Sequence, residues 1–553
     1  TPPTTTPPTT TPPVTGSAAD AGAAPIGQAS YAVPSGAVFV SPDGSDTATG
    51  TQADPLRTLG KALSEAPSGG TIVLRAGSYH ESVQDNTKPV TVQNYPGEAV
   101  WLDGSSVVTG WTQHGSTWIH TGWTAQFNSV PSYTGTVSTA PGWSFINSAH
   151  PMAANPDQMW LDGSPLVQVG SAADVGPGEF FADYADDELV IGNNPASHEL
   201  RASDLGVALT SYAPNVTIRG IGIRRYATAV NQFGALRLLG KSDAVSNVIS
   251  TENATTGVML GAVDETVDHV TVTANGMLGL TGTYVDGLVV DGLLAEGNNT
   301  EGFNLSPVSG GMKIARTRGV TVENSQFVDN TGPGAWFDES VYNATVVGNV
   351  MADNVGHGMS YEISSTALIA DNVVENNGGD GFKINDSDHV RIWNNTITGN
   401  GRDMEIVEDL RRGANLSDPG HNPHVAQPDP TEPWIIQNDS VMNNVFSPAA
   451  NTYQLYVNDY SKQYTADQLD LDVDGNQFVR GTSTPMIVWG QGAANPKLFT
   501  TAAAFVSGTG QGSANVDVSA GQTQASGPEG VALPADIAQL LGQPAGTQHV
   551  GAF

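Results

Sequence analysis

Residues 341–377 read VYNATVVGNVMADNVGHGMSYEISSTALIADNVVENN, short β-branched runs that keep ending on asparagine. Working outward from this stretch, the pattern becomes countable. Asn253, Asn275, Asn298, Asn330, Asn354, Asn377 and Asn400 each follow a short apolar segment, at intervals of 22, 23, 32, 24, 23 and 23. The segments include Val270-Thr271-Val272, Val320-Thr321-Val322, Thr345-Val346-Val347, Leu368-Ile369-Ala370 and Val390-Arg391-Ile392. A period of about 23 fits one coil of a parallel β-helix made of three short strands. Leucine-rich repeats share that length, but the Leu lattice they need is missing. Asparagine tolerates a left-handed turn conformation and stacks on its equivalents in neighbouring coils, so these residues are read as structural.

The chain before the repeat reads as its cap. Ala37-Val38-Phe39-Val40 enters a turn; Asp54 and Pro55 stand at N-cap and first-turn positions ahead of Leu56, Leu59, Ala62 and Leu63; a strand then runs Gly70 to Tyr79. This strand–helix–strand opening resembles the N-terminal cap of right-handed parallel β-helices, which need one because a first coil exposes unpaired strand edges. The expected fold is therefore all-β, a right-handed parallel β-helix (solenoid) with an N-terminal cap and an inserted β-rich region. Residues 1–33 read as a Thr/Pro/Ala-rich linker, 34–100 as cap and first coils, and 101–200 as the insertion, with Trp111, Trp118, Trp123, Trp143 and Trp160. Residues 201–540 read as the catalytic core and 541–553 as a tail, with a short helix from Asp536 to Leu541 over the last coil. Two interruptions mark places for function: a loop near 302–311 and an excursion over 401–437 with Arg402, Arg411, Arg412, His421 and Trp434.

Composition narrows the function classes. The 553 residues carry a net charge of −34, which disfavours nucleic acid and anionic lipid as partners. Only 14% of residues are charged, and 39% are hydrophobic, so the bulk of the chain packs a core. Cysteine is absent, which removes disulfides, thiol catalysis and thiolate metal sites. No apolar run reaches the roughly 18 residues that a membrane span needs. The opening TPPTTTPPTTTPP is an extended linker of the kind found outside cells. Export is expected, secreted or cell-surface, with the signal removed and surface attachment through the linker.

The coil register brings chemistry together. Aligning Gly334, Gly358 and Gly381 puts Thr283, Ser306, Asp338, Glu362, Asn385 and Glu408 in one row. Adjacent coils lie about 4.8 Å apart, so Asp338 and Glu362 stand side by side. Like charges at that distance cannot both ionise freely, and a carbohydrate site exploits the conflict between general acid and nucleophile. A separation of about 5–5.5 Å belongs to retaining glycosidases. Trp336 and Tyr361 offer ring faces for a sugar, and Glu339, Lys313, Arg316, Lys383, Asn385 and Glu408 are further candidate substrate-binding residues. Lys313 as proton-abstracting base with Arg316 on a uronate describes a polysaccharide lyase or epimerase, and a non-catalytic carbohydrate-binding surface protein is a third reading. No cofactor is expected, with calcium left open as an alternative. Asp470, Asp472 and Asp474 imitate the start of a calcium loop, but the position of its last ligand is Gly481.

Gly334-Ala335-Trp336-Phe337-Asp338, Gly348-Asn349, Asp353-Asn354, Tyr361-Glu362-Ile363-Ser364 and Asp371-Asn372-Val373 together resemble the catalytic coils of β-helix glycosidases. The pattern is similar to the β-xylosidase family 120, and more broadly to family 141 with its fucosidase and xylanase activities. The resemblance is close over about 330–375 and extends loosely to the cap and insertion. It implies a secreted retaining glycoside hydrolase with Asp338 as nucleophile and Glu362 as acid/base. Glu339 departs from the family, which has an aromatic residue after the nucleophile, so the sugar specificity does not carry over.

Overall fold

The computed structural model describes residues 18–132, 144–447, 453–480, 485–519 and 530–553; the Thr/Pro run before residue 18, Trp143 and Gly481 lie outside these. Three sheets of 13 strands run the length of a right-handed parallel β-helix. Sheet I runs from Val38–Val40 to Asp472–Asp474, sheet II from Val83–Asn86 to Ala494–Phe499, and sheet III from Gly77–Tyr79 to Val516–Ser519. Inside, like residues stack coil upon coil. In sheet I, Ile218, Val245, Val267, Val290, Val322, Val346, Ile369, Ile392, Val441 and Val473 pair in unbroken sequence. All ten are fully buried, each worth about 1.5–3 kcal/mol over an exposed side chain.

The counted asparagines form a continuous amide ladder. From Asn253 to Asn400 each Nδ2–H donates to Oδ1 of the asparagine one coil on, at 2.9–3.0 Å. The same Oδ1 accepts the backbone N–H of the previous coil's asparagine. The ladder residues are not themselves the left-handed ones. That conformation falls one residue earlier, at Glu252, Ala274, Gly297, Asp329, Asp353, Asn376 and Gly399. The amide must face inward to reach its neighbour, and the kink before it supplies that direction. A second ladder, Asn349, Asn372, Asn395, Asn444, Asn476 and Asn515, climbs another corner.

Between Ser105–Val107 and Leu200–Ser203 the chain leaves the solenoid to build a separate eight-stranded sheet. Its own core holds Val108, Met159, Phe180, Leu189 and Ile191, flanked by Trp111, Trp118 and Trp123. Buried Trp160 lies under the Arg225 guanidinium of the solenoid, 4.8 Å from ring to cation.

Three local expectations need correction. The cap helix is Leu59–Glu65 with Thr58 as its N-cap, while Asp54 closes a tight turn by accepting from the Thr49 N–H and hydroxyl. Residues 18–33, grouped with the linker, lie along the coils: Gly22 N–H donates to Gly292 O, Ala23 N–H to Thr271 Oγ1, and Gln326 Nε2 to Ala18 O. Short side chains leave that backbone free to dock. The helix Ala535–Leu540 packs sideways on Ala370, Trp393 and Met442 rather than over the end. The end is closed instead by the helix Ala502–Thr509, whose Phe505 meets Trp489 and Phe499 edge-on.

Candidate active site

Alternation along the strands of sheet II sends every second side chain outward. One outward row runs Met259, Thr281, Lys313, Trp336, Ser360, Lys383 and Glu405. The next runs Thr283, Ala315, Asp338, then Glu362, Asn385 and Val407, with Asp338 and Glu362 one coil apart at the ends of their strands. After each row member from Thr283 to Asn385 the backbone turns left-handed, at Tyr284, Arg316, Glu339, Ile363 and Asp386. The carboxylates therefore sit on a sharp corner between sheets II and I.

Two members of the expected row are displaced. Ser306 lies in the loop turn Leu305–Val308, and Ala315 holds the register position instead. Glu408 falls one residue beyond, because Val407 pairs with Asn385. Fully buried, Glu408 accepts from Ile436 N–H and pairs with Arg412 at 2.7 Å, and burial pushes its carboxyl up to about 7. Tyr361 is also misassigned as a sugar platform. It pairs with Phe337, and both point into the core at 0% exposure, the Tyr361 hydroxyl donating to Val341 O and Ser365 O. One step of the two-residue period separates inward Tyr361 from outward Ser360 and Glu362.

The rows floor a cleft of about 700 Å³. Phe145, Met259, Leu305, Pro307 and Val308 make one end apolar; Lys383 and Arg411 line the other. Lys313 is held on three sides: Nζ donates to Pro307 O and to Asp338 Oδ2, both at 2.7 Å, and lies 3.7 Å above the Trp336 ring. Asp338 Oδ1 accepts the Glu339 N–H at 2.8 Å. Glu339 in turn pairs with Arg316 at 2.8 Å. Glu362 Oε1 meets Arg411 Nη2 at 2.8 Å, and the same nitrogen reaches Asp409 at 2.9 Å and Asp386 at 3.1 Å. The Asn385 amide is directed away to Asp386 Oδ2 at 2.8 Å.

The two carboxyls sit in unequal fields. Burial pushes Asp338 up to about 6; Lys313 pulls it down, while Glu362 and Glu339 add to the rise. Burial would raise Glu362 too, but Arg411, Lys383 and Lys313 outweigh it and hold the group below the ordinary range. Behind Arg411, burial and the hydrogen bond to Asp409 drive Asp386 up to about 9, so that carboxyl keeps its proton at neutral pH. Among the described residues no group of three or more His, Asp or Glu side chains is placed to hold a metal. Asp474, of the calcium-like run, instead accepts the Gly475 and Ala514 N–H groups.

Sequence reasoning did not place Ser360, Thr281 or His357 at the site, and it named Arg411 only as part of the excursion 401–437, without its contact to Glu362. Ser360 was in reach, since it shares a row with Trp336 and Lys383 in the aligned glycine segments. Arg411 had no periodic signal, because the excursion returns to the cleft by its own path.

Comparison with known proteins agrees with this architecture. The family model "Right handed beta helix region" matches residues 234–401, and "Protein of unknown function (DUF1565)" matches 42–128. "Uncharacterized protein YwoF" of Bacillus subtilis (strain 168) is 41% identical over 75 residues, 13% of this chain and 16% of that protein. "Pectate lyase PEL9" of Emericella nidulans is 37% identical over 83 residues, 14% of this chain and 20% of that one. The chain thus spans no more than a fifth of the curated relatives it matches. Among solved structures, XylC in complex with xylose superposes with a TM-score of 0.63 at 15% identity, over 83% of this chain and 87% of that one. At that identity the likeness is one of fold, and with the sheets and the matched region it makes this chain a right-handed parallel β-helix protein.

Proposed function

We propose that the chain is a carbohydrate-active enzyme, a retaining glycoside hydrolase whose carboxylate pair is Asp338 and Glu362. The observation that carries the reading is their placement on adjacent coils, side by side at the floor of the cleft. A gap of one coil, about 4.8 Å, suits a nucleophile and an acid/base, whereas inversion needs about 6.5–9.5 Å to admit water. Both oxygens of Asp338 accept N–H donors, which offsets part of the burial that raises the group to about 6 and leaves it ionised at neutral pH to attack the anomeric carbon. The anomeric C–O bond breaks as Glu362 gives its proton to the leaving oxygen. Glu362 then takes a proton from water, which releases the sugar from Asp338. For Glu362 to carry that proton, the bound sugar must turn Arg411 away toward Asp386 and Asp409, which already share it.

Lysine-based elimination fits less well. Lys313 is engaged by a carboxylate, a carbonyl and a ring face, and Arg316 by Glu339, so neither is open to a uronate. The fold likeness to XylC, solved with xylose, supports a saccharide substrate in the cleft.

The resting charges favour one specific variant, with Asp338 as acid and Glu362 as nucleophile, and one experiment separates the two. An activated 2-deoxy-2-fluoro glycoside traps the nucleophile covalently, and peptide mass spectrometry locates the label, expected on Asp338. Proton NMR of the first product is expected to show retention. Inversion would remove the side-by-side pair from the mechanism, and a label on Glu362 would exchange the roles.

A further inference from the structure

Four cationic side chains and three carboxylates line the cleft, in a chain whose net charge is −34. Three of the cations are already neutralised. Lys313 is paired with Asp338, Arg316 with Glu339, and Arg411 with Glu362, Asp386 and Asp409. The wall histidine, His357, lies 3.1 Å from Asp380. Lys383 is different: among the described residues its ammonium makes no hydrogen bond and no ion pair, and it acts on Glu362 through its charge alone. Its next neighbour in the row, Glu405, is occupied by Arg402 at 2.8 Å and the Tyr460 hydroxyl at 2.6 Å. Lys383 is thus half-buried between a serine and an already satisfied carboxylate, and its ammonium has no direct partner among the described residues, although its field helps to hold Glu362 down.

We propose that Lys383 binds an anionic substituent of the substrate, so that the cleft takes an acidic sugar on the Glu362 side of the scissile bond. Lys383 lies one coil and two residues from Glu362, which puts their Cα atoms about 8 Å apart. A lysine side chain spans much of that, and its ammonium can meet a group carried one sugar residue from the cleavage point. The opposite end of the cleft is lined by the apolar Phe145, Met259, Leu305 and Val308, with Arg237 one coil beyond Met259 and outside the lining. The anionic group is a uronate carboxylate or a sulfate ester. The binding orientation rests on the hydrolase reading; the charge preference does not.

The test is equilibrium binding by calorimetry, which needs no turnover, with the full chain and with Lys383→Met and Lys383→Arg. The probes are glucuronate- and galacturonate-containing disaccharides, a 6-sulfated disaccharide, and the matching neutral disaccharides. The wild-type protein is expected to bind one acidic class at least about tenfold more tightly than its neutral counterpart, as a charge-assisted hydrogen bond allows. That preference should weaken as salt rises, should vanish in Lys383→Met, and should survive in Lys383→Arg. Which acidic class wins distinguishes carboxylate from sulfate. Equal binding of acidic and neutral probes, no binding of any acidic probe, or an unchanged preference in Lys383→Met overturns the proposal. Charge-selective binding without any hydrolysis would instead sink the hydrolase reading and leave this one standing.

Discussion

Asp338 and Glu362 are chemically similar groups that differ in what surrounds them. Asp338 shares Lys313 with Pro307 and the Trp336 ring, whereas Glu362 faces an arginine from a distant excursion. This asymmetry yields a pH prediction. If ionised Asp338 attacks, kcat/KM on an aryl glycoside falls as pH drops below about 6, the value to which burial raises that carboxyl. Lys313 pulls the same group down, so Lys313→Met removes a lowering influence and should move the acid limb to higher pH. An acid limb in the same place in Lys313→Met would separate that limb from Asp338.

At the scale of single elements, the amide ladder carries the corners of the solenoid. Asn354 donates to Phe327 O and Asn377 Oδ1, and its Oδ1 accepts both the backbone N–H and the amide of Asn330. Asn354→Ala leaves the Phe327 carbonyl and the Asn330 N–H of the preceding coil without this partner, at a cost of about 2–4 kcal/mol. Denaturant melts should show that loss, whereas an exposed change such as Asp353→Asn, which suits its left-handed backbone, should cost little. A neutral Asn354→Ala would mean that the ladder decorates the corner rather than holding it. The excursion is the opposite kind of element. It has no repeat, yet it brings Arg411 to Glu362 and seats its buried Trp434 under His421, rings 4.3 Å apart.

Over the whole molecule, the −34 charge is compatible with folding because part of it is switched off inside. Glu265 is fully buried and pushed up to about 8, chiefly by desolvation and also by Asp243, itself raised to about 7 by burial. A raised carboxyl binds its proton more tightly folded than unfolded. Its stabilising contribution is complete below the unfolded value near 4.5 and is lost as pH climbs through about 8. Thermal melts should show Tm falling across that window, and Glu265→Gln should flatten the fall. An equally steep decline in Glu265→Gln would assign the alkaline loss to other groups.

The sequence by itself determined the solenoid. A repeat of about 23 residues fixes which residues stack, because parallel strands in register copy a local pattern from coil to coil. The asparagine stack and the Asp338–Glu362 adjacency were legible for that reason. Registers broke where the period broke: the loop before Lys313 replaced Ser306 with Ala315, and the long strand Arg402–Glu408 carried Glu408 past its row. Tyr361 was misread because its chemical type was weighed above the inward step of its strand. Tertiary structure alone decided the charge state of the cleft. Arg411 is 49 residues from Glu362 and arrives by an aperiodic path, so no spacing rule announces it. That one guanidinium, shared among three carboxyl groups, lowers Glu362 while burial raises Asp338, and proximity across the fold sets such fields rather than order along the chain.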